Sequence, residues 1–150
     1  MSSNPAHVNI RPMPVPQPQS ASHPPPRLHA STVLILEEDA ALRDATRMLL
    51  QTEGYSVLAA DTLATALDLA RGQPGIDLLL VDDSAADGAA GARAIAELRQ
   101  VIGKALRALL LTSHLCASTR TLEQDGRLCL ARSPISADGL LERLRALSAP

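Results

Sequence analysis

The chain has 150 residues, of which 46% are apolar, and a formal net charge of −2 at pH 7. That length suffices for one domain with a real hydrophobic core. The near-neutral, slightly acidic balance argues against nucleic acid as the main partner, and no apolar run approaches the roughly 18 residues of a membrane span. Tyr55 is the only aromatic residue, so the core must be built from Leu, Ala, Val and Ile. No charged-then-apolar N-terminus of secretory type is present, and a cytoplasmic setting is the expectation. Cys116 and Cys129 form neither a CxxC nor a metal-ligand pattern and read as reduced, small core hydrophobes.

Residues 1–30 differ in kind from the rest. They hold eight of the eleven prolines, three of the four histidines, two arginines and no acid. Such a segment buries too little apolar surface to offset its ordering entropy and reads as a disordered, partly polyproline-II tail. Its histidines lack ligand spacing. A folded unit is expected over 31–150. Val33-Leu34-Ile35-Leu36 is a β-rich run ending in Glu37-Glu38-Asp39. From Ala40 to Glu53, Leu42, Ala45 and Leu49 recur at helical spacing, and Gly54 is a suitable stop. Tyr55 to Ala59 is the second strand, and Asp61 is placed to cap a helix carrying Leu63, Leu67 and Ala70, closed by Gly72 and Pro74.

Asp77-Leu78-Leu79-Leu80-Val81-Asp82-Asp83 then brackets an apolar run with carboxylates. A run of that length predicts a strand buried on both faces. Ser84 to Gly91 reads as an Ala/Gly-rich loop, and Ala92 to Ile102 as a helix with Ile95, Leu98 and Ile102 aligned. Ala105 to Leu111 is a buried strand running into Thr112-Ser113, and His114 to Gln124 a weaker helix. Arg127 to Ala131 is a short strand, and Ser136 to Leu147 a helix with Leu140, Leu141, Leu144 and Leu147 on one stripe. Arg93, Arg99, Arg143 and Arg145 read as solvated helix faces. Five strand–helix units predict an α/β, three-layer, flavodoxin-like fold: a parallel sheet of order 2-1-3-4-5 with helices on both faces.

In that order strands one, three and four are neighbours. Their carboxyl ends bring together Glu37 and Glu38, Asp82, and Thr112 with Ser113. Carboxylates so gathered repel unless a cation or a proton joins them. Their hard oxygens suit Mg²⁺, which takes one or two carboxylates, several waters and a phosphate. A carboxylate beside Mg²⁺ can act as a nucleophile on a phosphoryl group.

From Val33 to Leu147 the sequence resembles the receiver domains of bacterial response regulators. The resemblance rests on the acidic pair in Leu34-Ile35-Leu36-Glu37-Glu38-Asp39, on Asp77 to Asp82, on Leu110-Leu111-Thr112-Ser113 and on Ser133-Pro134. It implies that Asp82 accepts a phosphoryl group from a histidine kinase or phosphotransfer protein, and that Thr112 is the switch hydroxyl. It also implies Mg²⁺ held by Glu37, Glu38, Asp82 and the backbone carbonyl of Ser84. Signalling would pass to a downstream protein through the face of the fourth helix, fifth strand and fifth helix, without membrane or direct nucleic-acid contact. The chain would be a phosphoacceptor, not an enzyme, and a single-domain module, since Pro150 leaves no room for an output domain.

The pattern departs from the family at several points. Two glutamates stand where two aspartates are usual. Ser133 stands where a lysine precedes the strand-five proline, with Arg132 one position off and, by strand alternation, on the other face. Leu128, Cys129 and Leu130 leave no aromatic in strand five, and Ala85-Ala86 replace the loop proline. These departures motivate a second reading, a degenerate pseudo-receiver that binds partners independently of phosphorylation. A third, a flavodoxin-like nucleotide enzyme, needs a glycine-rich phosphate loop after strand one, where Glu37-Glu38-Asp39-Ala40 stands instead.

Overall fold

The computed structural model describes residues 31–83, 89–103, 105–113 and 126–149, with Pro14 by itself. Apart from Pro14, the expected tail over 1–30 lies outside these residues, as do Ser84 with the loop to residue 88 and the expected helix from His114 to Gln124. The described elements, in chain order, are β1 (Thr32–Leu36), α1 (Ala40–Thr52), β2 (Ser56–Ala60), α2 (Leu63–Gly72), β3 (Ile76–Asp83), α3 (Ala89–Ile102), β4 (Arg107–Thr112), β5 (Leu128–Arg132) and α4 (Ala137–Ser148). All strand pairs are parallel, and the sheet order is β2-β1-β3-β4-β5. This is the doubly wound arrangement that the alternation of strands and helices predicts.

Alternation along the central strands sorts their side chains into two apolar layers. Leu34, Leu36, Leu79, Val81 and Leu110 pack on one face with Ala66 of α2 and Ala94, Ile95 and Leu98 of α3. Val33, Ile35, Leu78, Leu80, Leu109 and Leu111 pack on the other with Leu50 of α1 and Leu140, Leu141 and Leu144 of α4. Both layers are aliphatic, as the composition requires. β1 and β3 slip register between Thr32 and Val33, skipping Asp77. The Asp77 carboxylate compensates by accepting from Thr32 N at 2.9 Å.

The helix ends follow local chemistry. Gly54 adopts φ 94° and ends α1, with Gly54 N donating to Gln51 O and Tyr55 N to Leu50 O, the paired bonds of a Schellman motif. Two helix starts differ from expectation. The N-cap of α2 is Thr62, whose hydroxyl accepts from Thr65 N at 3.2 Å, and not Asp61. The third helix begins at Ala89 and takes in Gly91, which the Ala/Gly-rich composition suggested was loop. Arg99 corrects a further expectation. It is buried, not solvated, and donates from Nε to Leu106 O at 3.0 Å and from Nη2 to Arg127 O at 3.2 Å.

Candidate functional site at the carboxyl edge of the sheet

β1, β3 and β4 end side by side, so Glu37, Asp82, Asp83 and Thr112 arrive at one edge. Register sets Asp82 beside Leu111 and Asp83 beside Thr112. Thr112 is buried at 1% exposure, and its carbonyl accepts from Ser133 N at 3.0 Å, which brings the end of β5 to the same edge.

Glu37 is buried at 5% exposure. Its backbone N–H is held by Ala60 O at 3.0 Å, and its Oε1 accepts from Asp39 N at 2.8 Å. Asp39 in turn caps α1, its Oδ1 accepting from Leu42 N at 2.9 Å, while Arg43 of α1 donates to the carbonyls of Glu37 and Glu38. The acidic turn is thus fixed by backbone and helix together. Burial first, then a hydrogen bond to Asp82, then the charges of Asp82 and Asp39 push the Glu37 carboxyl up from 4.5 to about 7; the Asp39 N–H pulls the other way. Glu37 therefore tends to hold a proton beside Asp82.

Asp82 is half-buried, and its Oδ1 is buried with no hydrogen-bond partner. A buried carboxylate oxygen without a donor costs free energy unless something binds it. Asp82 borders two cavities. One, of about 490 Å³, lies between β1, β3 and the starts of α2 and α3, and includes Glu38, Asp61, Asp83 and Arg93. The other, of about 360 Å³, lies between α1 and the start of α4, and includes Leu42, Thr46, Leu49, Ser133 and Pro134. Ser133 therefore shares a cavity with Asp82. Arg132 is exposed and lines a groove between β5 and α4, and its parity with Leu128 and Leu130 assigns it to the α2–α3 face of the sheet.

The expected cation ligands are only partly brought together. The Asp82 and Glu37 carboxyls are neighbouring hard oxygen donors of the kind Mg²⁺ takes. Glu38 is exposed at the mouth of the larger cavity. Among the described residues no group of three or more His, Cys, Asp or Glu side chains forms a ready ligand set. Two carboxylates nevertheless fit an ion that keeps several waters. Asp83 is the site residue that sequence reasoning passed over. It is buried and accepts at Oδ2 from Gly91 N at 2.9 Å. The available signal was its parity with Leu79 and Val81, which assigns it to the α3 layer.

Many solved structures of the same architecture are receiver domains. CheY4, a chemotaxis protein of Vibrio cholerae, is 22% identical, with 78% of this chain and 98% of that chain covered at a TM-score of 0.67. A CheY-like receiver domain protein of Methanospirillum hungatei is 20% identical over 77% of this chain and 91% of its own, at a TM-score of 0.65. A response regulator protein of Burkholderia multivorans is 28% identical over 81% of this chain and 97% of its own, at 0.59. No family model and no curated protein sequence matches. The chain has the fold of a response-regulator receiver domain. No described helix is long and apolar enough to cross a membrane.

Proposed function

We propose that this protein is a cytoplasmic phosphoacceptor module of a two-component or phosphorelay system, with Asp82 as the acceptor. The observation that carries the reading is the buried, unpartnered Oδ1 of Asp82 at the carboxyl end of the central strand, where ligands of doubly wound sheets collect. An oxygen of the ionised Asp82 attacks phosphorus of a phosphohistidine. The O–P bond forms, the P–N bond breaks with its electron pair going to nitrogen, and the ring leaves as neutral imidazole, keeping the proton that its other nitrogen carries in the phosphohistidine. Mg²⁺, when bound, neutralises charge on the phosphoryl oxygens. Glu37 and Asp82 are its protein ligands in this reading, with Glu38 and the Ser84 carbonyl completing the set. Glu37 must give up its proton to serve. Thr112, next to β3 in the sheet, is the hydroxyl that follows the phosphoryl group. A histidine kinase or phosphotransfer protein is the donor, and a downstream protein reads the β5–α4 face.

The test is incubation of the full chain with acetyl phosphate and Mg²⁺, read by intact mass, with beryllofluoride titration followed by amide NMR. A hydroxylamine-labile phosphoryl adduct that Asp82→Asn abolishes, with Mg²⁺-dependent shifts at Thr112, is the expected result. No adduct and no shifts would refute it.

A second reading, a phosphorylation-independent interaction domain, is favoured by one observation. Among the described residues, no Lys or Arg lines the cavity that Asp82 shares with Ser133. That reading expects partner binding to be indifferent to Asp82→Ala.

A further inference from the structure

The last two residues of β3 divide between the two faces of the sheet. Asp82 follows Leu78 and Leu80 toward the α1–α4 layer, while Asp83 follows Leu79 and Val81 under α3. A carboxylate buried in an aliphatic layer is unfavourable unless paired. Asp83 meets that requirement with Gly91 N, at 2.9 Å, in the first turn of α3. There the N–H groups that lack an acceptor within the helix, together with the helix dipole, favour a negative partner. Gly91 is the matching half of the contact. A Cβ at Gly91 would lie 2.6 Å from Leu110 Cδ1 and 2.8 Å from Asp83 Cβ, so only a glycine lets the helix come this close. Asp83 and Gly91 are eight positions apart, and their bond pins both ends of the connection that leaves the Asp82 site. Asp83 is also the register neighbour of Thr112. One buried side chain thus lies in sequence beside the proposed acceptor, across the sheet from the proposed switch hydroxyl, and in contact with α3.

We infer that Asp83 is a positioning residue for phosphoryl acceptance: anchored on Gly91 N, it holds the end of β3 so that Asp82 is presented in a reactive pose. The inference rests on the reading of Asp82 as acceptor. A small displacement of a reacting group costs rate steeply, so loss of the anchor lowers the maximal rate by roughly tenfold or more. Asp83→Asn keeps an acceptor oxygen for Gly91 N and stays within about threefold of wild type.

The experiment measures acetyl phosphate-driven phosphorylation of the full chain against phosphodonor concentration, per folded molecule, with the folded fraction set by urea titration. Asp83→Ala is expected to lower the maximal rate and leave the half-saturating concentration unchanged. Gly91→Ala, which keeps the carboxylate but displaces its donor, is expected to show the same loss, and it supplies the test should Asp83→Ala not fold. A folded Asp83→Ala or Gly91→Ala that phosphorylates at the wild-type rate overturns the inference, as does Asp83→Asn falling as far as Asp83→Ala. Wild type that takes no phosphoryl group removes the reading of Asp82 itself, and the inference with it.

Discussion

At the scale of single residues, the site is defined by a shortage of protons and donors. Glu37 and Asp82 place two carboxyls together in partial burial, and the chain answers by retaining a proton on Glu37. This has a consequence for stability in metal-free buffer. The unfolded chain loses the Glu37 proton near 4.5, whereas the folded chain keeps it to about 7. Stability tied to the protonated form is therefore fully present below 4.5 and is lost as pH rises to about 7, a loss on the order of 3 kcal/mol. Glu37→Gln has no such proton to lose. In urea unfolding with EDTA, the variant is expected to match wild type near pH 4.5 and to exceed it at pH 8. Parallel pH profiles for the two proteins would contradict this. Asp82→Asn removes the charge that crowds Glu37 and is expected to stabilise the metal-free protein at pH 8 by about 1 kcal/mol, measured the same way. Glu37, Asp82 and Thr112 were legible in the sequence because strand ends converge once the strand order is known. Asp83 was not, because its role depends on an approach of α3 that only Gly91 permits.

At the scale of elements, the apolar runs specify the strands, and the structure follows them to within a residue or two. The helix starts are a different matter, because they turn on which of several competing polar or small residues the tertiary fold selects. Asp61 and Thr62 are both good caps by type, and the bond from Thr65 N singles out Thr62. Thr62→Ala is expected to cost about 1 kcal/mol and Asp61→Ala much less, as thermal unfolding would register. Equal losses would remove the distinction. Glycine raises the same difficulty. Gly72 and Gly91 both lie in helices, yet a Cβ at Gly72 meets nothing within 4 Å, while one at Gly91 meets Leu110 and Asp83. Gly72→Ala is expected to be neutral or to gain up to about 1 kcal/mol from helix propensity. Gly91→Ala is expected to lose about 1–3 kcal/mol through overpacking. Chemical denaturation of the pair decides it, and a stabilised Gly91→Ala would show that α3 yields easily.

At the scale of the whole molecule, the two edges of the sheet differ in how their oxygens are met. At the amino edge, carbonyls are satisfied by buried or half-buried arginines. Arg99 joins α3 to the entrances of β4 and β5 through Leu106 O and Arg127 O, and Arg107 holds the end of α4 through Leu147 O and Ala149 O. At the carboxyl edge, by contrast, Asp82 Oδ1 has no donor. Arg43 meets the carbonyls of Glu37 and Glu38 at that same edge, so the contrast lies in the Asp82 side chain alone. Arg99 was read from sequence as solvated because charge is usually a surface signal. Its position four residues after Ile95, on the stripe of Leu98 and Ile102, was the contrary evidence. Arg99→Leu removes the donor to Leu106 O and one of two donors to Arg127 O, which keeps Ala108 N, and is expected to destabilise the fold by about 1–3 kcal/mol. Arg99→Lys recovers only part of this, because a single ammonium cannot reproduce the guanidinium fork across two carbonyls. Since the site lies at the far edge, beryllofluoride affinity of the folded variants is expected to equal that of wild type. Loss of that affinity in a folded Arg99→Lys protein would mean that the two edges are coupled through the sheet, and that the amino-edge arginines belong to the switch and not only to the scaffold.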